Sequence, residues 1–109
     1  MKKYPLGEFE ELVLLTVGVL YDEAYGVAIK DEIETRLNRK VSVGALQSAL
    51  RRMEKKGYLN SRLGDTSNQR GGKRKRFFTI TAYGKRALEY TKEVRESLWG
   101  DIPGMAFDF

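Results

Sequence analysis

The sequence has no cysteine and no histidine. The first absence excludes a disulfide framework and is compatible with a reducing compartment. Together they exclude a zinc site built from Cys and His, and they leave no imidazole for acid–base catalysis. Long hydrophobic runs are missing too. The longest, LVLLTVGVL at 12–20, is too short to span a bilayer. Lys2 and Lys3 are followed by GEFEE, which does not read as a signal peptide. No Gly-rich phosphate loop, supported carboxylate pair or nucleophile constellation is visible. The acids Glu10 and Glu11, and Glu93 and Glu96, read as solvated helix surface. The expectation is a soluble cytoplasmic protein that is not an enzyme, holds no metal or cofactor and does not enter the membrane.

Acidic residues are also scarce where basic ones gather. Residues 36–86 hold 15 basic side chains against Glu54 and Asp65 alone. The flanking segments are acidic, with a net −5 over residues 1–35 and −3 over residues 87–109, so the chain totals +5. A concentrated cationic block is the electrostatic footprint of a polyanion binder. The other reading is a solubilising surface. A chain of 109 residues, 41% hydrophobic and 32% charged, fits one folded unit with a modest core.

Apolar spacing then sets the elements. Phe9, Leu12, Val13, Thr16, Val17 and Leu20 make one face of a helix over 8–20, and Leu14, Leu15 and Val19 widen it. A buried strand over 12–20 is the alternative, but the acidic start suits a helix N-terminus. A second helix is expected from about Ala24 to Leu37, buried through Tyr25, Ile29, Ile33 and Leu37. Ser42 is placed to cap a third, with Val41 and Leu46 as a hydrophobic staple. Its inward stripe is Val43, Leu46, Leu50 and Met53, and Gly57 ends it. Residues 58–63 and 74–80 read as strands around a flexible loop of turn formers at 64–72. Thr81 caps a last helix over about 82–99, carrying Tyr83, Ala87, Tyr90, Val94 and Leu98 on one side. The tail 100–109 is not expected to be helical throughout. The class is mainly α with a β-hairpin wing, a winged helix-turn-helix. Residues 1–80 would form the DNA-binding domain, and 81–109 a dimerisation helix and tail.

In that arrangement the third helix enters the major groove of double-stranded DNA. Its outward face offers Gly44, Gln47, Ser48, Arg51, Arg52 and Lys55. Gly44 and Ala45 let the helix start approach a phosphate or base closely. Gln47 and Ser48 can donate and accept toward base edges, and Arg51 can take phosphate or guanine in two-pronged fashion. Lys73, Arg74, Lys75 and Arg76 would meet the phosphate rows, with Phe77 or Phe78 turned inward to anchor the strand. Arg70 is placed to enter a narrow minor groove. Tyr25 and Gly26 either present a backbone amide to phosphate or simply pack. Tyr90, Val94, Leu98 and Trp99 form a strip too apolar for a monomer, so a homodimer is expected. The alternative function is a winged-helix adaptor that turns its basic face to an acidic protein.

The stretches LGEFEELVLL at 6–15, AYGVAI at 24–29, VSVGALQSALRRMEKKGYLNSR at 41–62 and GGKRKRFFTITAYGKRAL at 71–88 resemble the PadR family of bacterial transcriptional regulators. The resemblance implies a homodimeric repressor on a palindromic operator, paired through the helix Ala82–Trp99. It assigns DNA contacts to Ser42, Gly44, Ala45, Lys73, Lys75 and Arg76. Gln47 stands where the family usually has Tyr, and Phe77–Phe78 where Tyr is common. The short last helix matches the compact branch, some members of which respond to small aromatic or drug-like effectors at the dimer interface.

Overall fold

The computed structural model describes residues 3–64 and 74–109. Its order is α1 (Glu8–Leu20), a 3-10 turn (Tyr21–Glu23), α2 (Gly26–Leu37), α3 (Val43–Lys55), β1 (Leu59–Leu63), β2 (Arg76–Ile80) and α4 (Ala82–Asp101), then a 3-10 turn at Gly104–Phe107. The strands pair antiparallel, with Leu59 opposite Ile80, Ser61 opposite Phe78 and Leu63 opposite Arg76. Tyr25 precedes α2 in extended conformation and bridges Phe77, while the Phe78 amide donates to the Ala24 carbonyl at 2.8 Å. The segment before α2 thus lies along the wing as a short third strand. This is the winged helix-turn-helix that the apolar spacing and turn residues imply. No described helix is long and apolar enough to cross a membrane.

The core gathers Val13, Leu14 and Val17 from α1, Ile29 and Ile33 from α2, and Leu46, Ala49, Leu50 and Met53 from α3. Tyr58, Leu59, Phe78 and Ala87 close it. Four expectations change. Leu15 and Val19 are exposed, so the α1 stripe is narrower. Tyr25 lies outside α2, where its edge pairs with the wing, and Leu37 is exposed at the helix end. Val43 is 58% exposed, and Ala49 completes the α3 stripe at the i, i+3, i+4, i+7 spacing from Leu46. The first turn of α3 overhangs the core, which is why its apolar residue is not covered.

Glu10 is the fourth correction, because it is buried rather than solvated. Its side chain is 7% exposed. It accepts from the Gly7 amide at 2.9 Å, from Arg52 Nε at 3.0 Å and from Lys56 Nζ at 3.0 Å. Burial alone would raise its carboxyl, but the Gly7 amide and the two cations outweigh that, and the net shift is downward. A group depressed in the folded state stabilises above its ordinary value of 4.5, and that stabilisation is lost as the pH falls through the folded value. Glu10→Gln is therefore expected to cost about 2 kcal/mol at pH 7, discounted for the partly exposed cations, and to flatten the acid limb. Urea melts of both proteins from pH 7 to pH 3 measure this. Parallel acid limbs would assign the loss elsewhere.

Two side chains fix how the elements meet. Glu34 accepts from the Val41 amide at 2.7 Å and from Lys30 Nζ at 3.1 Å, which holds the α2–α3 turn closed. The amide bond, then Lys30, draw its carboxyl below the ordinary range. Thr81 caps α4 by accepting from the Gly84 amide at 3.0 Å, and its hydroxyl donates to the Gly57 carbonyl at 2.6 Å. Gly57 itself turns at φ +88°, a conformation that glycine adopts without strain. Beyond Thr91, α4 runs exposed, tied back by Arg95 to Glu11 at 2.9 Å.

Candidate nucleic-acid interface

The four buried residues of α3 leave Gly44, Gln47, Arg51 and Lys55 exposed on the opposite side, with Ser48 half-buried among them. Ser42 caps the helix, its Oγ accepting from the Ala45 amide at 3.2 Å. Ala45 is exposed beside it, so this helix start is open among the described residues. Arg52 does not join the outward group that its helical phase implies. It lies toward α1, where Glu10 holds it, and helical spacing alone does not show that a carboxylate 42 residues earlier claims it. Lys56 is claimed by the same carboxylate.

The wing meets this surface through an aromatic ladder. Lys75 Nζ sits 4.1 Å from the centre of the Tyr25 ring. Tyr25 meets Phe77 edge-on at 5.5 Å, and Arg62 lies 4.8 Å over Phe77. Each ring presents its electron-rich face to a cation, which holds the charge in place without neutralising it. Arg76 donates to Ser61 Oγ at 3.0 Å, and Ser61 donates to Glu54 at 2.6 Å, so the wing strand is tied to the last turns of α3. Arg51, Lys55, Arg62, Arg74 and Lys75 have no ion-pair partner among the described residues. Arg70 and Lys73, both expected at the DNA, lie outside the described residues.

Between α2, α3 and β2 runs a cleft of about 230 Å³, lined by Tyr25, Gly26, Val27, Val43, Gln47 and Lys75 among others. A Cβ on Gly26 would stand 3.4 Å from Gln47 Nε2, so the bare glycine makes room for that amide above the start of α2. Sequence reasoning misses Arg62, Val27 and the exposed Val43. Strand alternation is the available signal for Arg62, because a residue opposite Phe77 shares its face.

Along α4, Tyr90 packs against Tyr4 at 5.6 Å and is partly exposed, as is Val94. Leu98 and Trp99 are 66% and 72% exposed, and the tail adds exposed Met105, Phe107 and Phe109. The tail folds back so that Phe107 meets Trp99 at 6.0 Å.

The sequence model of the transcriptional regulator PadR-like family matches residues 14–90. A PadR family transcription regulator from Clostridium difficile superposes with a TM-score of 0.62 at 27% identity, over 82% of this chain and 91% of that one. A PadR-like transcriptional regulator from Bacillus cereus gives 0.69 at 22% identity, over 84% of each chain. The Bacillus subtilis PadR, solved in complex with operator DNA, gives 0.62 at 18% identity over 78% of this chain and 46% of that longer one. No curated protein sequence matches. The family is one of transcription factors and not of enzymes, and with residues 14–90 matched this chain belongs to the PadR-like family of transcriptional regulators.

Proposed function

We propose that this protein is a homodimeric repressor that binds a palindromic operator through α3 and the wing. The observation that carries this reading is a single surface. The outward face of α3, with Arg51 and Lys55 unpaired among the described residues, continues into wing cations that aromatic rings hold in place. A helix of this kind docks in the major groove, and the wing follows the backbone beside it. Ser42, Gly44, Ala45, Gln47 and Ser48 meet bases and phosphates, with Tyr25 in the neighbouring extended segment and Gly26 at the start of α2. The B. subtilis PadR, solved with its operator DNA, supports duplex DNA as the partner.

The second copy covers Tyr90, Val94, Leu98 and Trp99, whose apolar surface a monomer would leave in water. Residues 1–80 then act as the reading domain and 81–109 as the pairing arm. A groove of about 310 Å³ between α1 and α4, floored by Leu15 and Leu88, is the space for a small aromatic effector that releases the operator. The protein would work in the cytoplasm, where the operator is.

Selection from a random duplex pool tests the reading. The expected product is an inverted repeat whose half-sites lie one helical turn, or a multiple, apart. Arg51→Ala should weaken binding to it by about 1–3 kcal/mol. Sedimentation should show a dimer at micromolar concentration. Binding of all duplexes alike would favour the adaptor, and a monomer would remove the pairing arm.

A further inference from the structure

We infer that Val43 and Gln47 together read adenine–thymine pairs, with Gln47 on an adenine edge and the Val43 methyls against a thymine methyl. The inference rests on the DNA-binding reading above and deepens it by assigning base identity to one end of α3.

Four observations lead there. Val43 is 58% exposed although it stands three residues before buried Leu46, so the fold has not used it for packing. Val27, on the first turn of α2, is 63% exposed and lines the same cleft. Gln47 follows Val43 by four residues, so the two side chains are neighbours on one helix face. The Gln47 amide makes no hydrogen bond with a described residue and lines the cleft with Val43. The start of α3 therefore presents an apolar branched group next to an uncommitted carboxamide.

Neither group can bind a phosphate by charge. Both have well-matched partners in the major groove. A carboxamide pairs in two-pronged fashion with adenine N6 and N7, and only thymine offers a methyl group there. Lys75, held over Tyr25 across the cleft, can take the phosphate next to these bases. Gly44, between the two readers, has no side chain to hold the helix away from the base edges.

The experiment uses the full chain and duplexes recovered by selection. An adenine–thymine pair should recur at one fixed position in each half-site. Deoxyuridine in place of that thymine removes only the methyl group. It should weaken wild-type binding about three- to five-fold per half-site, the worth of burying roughly one methyl, and leave Val43→Ala unaffected. Substituting 7-deazaadenine for the adenine facing Gln47 should weaken the wild type and not Gln47→Ala. Both variants change exposed side chains, and thermal melts check that they fold. A deoxyuridine scan that moves no position, or an equal loss in wild type and Val43→Ala, overturns the assignment while the regulator reading stands. No enriched duplex at all removes both.

Discussion

Glutamine in place of Arg74, Lys75 and Arg76 reduces the slope of log binding constant against log salt by about 2–3, near 0.9 for each phosphate that is no longer neutralised. At about 0.15 M salt the affinity falls roughly 10- to 100-fold, since counterion release supplies much of the binding free energy of a small basic module. Fluorescence anisotropy across a salt series measures both. Stability should move by less than about 1 kcal/mol, because these side chains are exposed and, among the described residues, give up one hydrogen bond, Arg76 to Ser61, and the Lys75–Tyr25 contact. Tyr25→Leu separates charge from placement. Lys75 keeps its charge but is deprived of the ring 4.1 Å beneath it. The expected result is a two- to five-fold weaker complex, about the worth of one exposed cation–π pair, with most of the slope kept. In the triple-glutamine background the same change should add little, because the two act through one phosphate. An unaltered slope in the triple variant would mean that the wing does not touch phosphate.

Gly84→Ala is expected to lower stability by about 2–3 kcal/mol, which is roughly 10–20 °C in Tm for a chain of this size. The added methyl would collide with the Tyr58 carbonyl and press on Ile80 Cγ2 at 3.1 Å. The Tyr58 carbonyl also accepts from the Thr81 amide at 3.0 Å, so it cannot swing away without losing that bond. The obstacle is backbone, and no rotamer change relieves the clash. Gly100→Ala serves as the control within the same helix. No described residue lies within 4 Å of its Cβ position, so that change should raise stability by up to about 1 kcal/mol through helix propensity. Equal tolerance at the two positions, read by thermal melts, would show that the start of α4 is not pressed against the residues leading into β1.

The elements are largely legible because their punctuation is local. Ser42, Gly57 and Thr81 mark helix ends by bonds to residues a few positions away, and the structure places each at the boundary expected. The α1 helix runs Glu8–Leu20 as its spacing and acidic start imply. Burial near an element's end is less legible. Val43 and Leu37 fit a helical stripe by phase, yet exposure there depends on how far the neighbouring helix extends, which periodicity does not encode. Glu10 reads as surface because its partners stand 42 and 46 residues away. The same distance hides the commitment of Arg52. The four-residue spacing to Ile29 puts Tyr25 inside α2. Its extended backbone follows instead from pairing with Phe77, between segments 52 residues apart. The cationic face is visible in composition, and its division into pinned and uncommitted charges is not.

The hydroxyl of Thr81 has a consequence for how such a chain can diversify. Because one oxygen serves both the start of α4 and the carbonyl that ends the turn after α3, sliding α4 along its axis relative to α3 would break both bonds. Its phase is locked at the root, and past Thr91 the exposed length is steadied by the Arg95–Glu11 ion pair. Substitutions along that outer length can accumulate while the register between the start of α4 and the turn after α3 stays as it was.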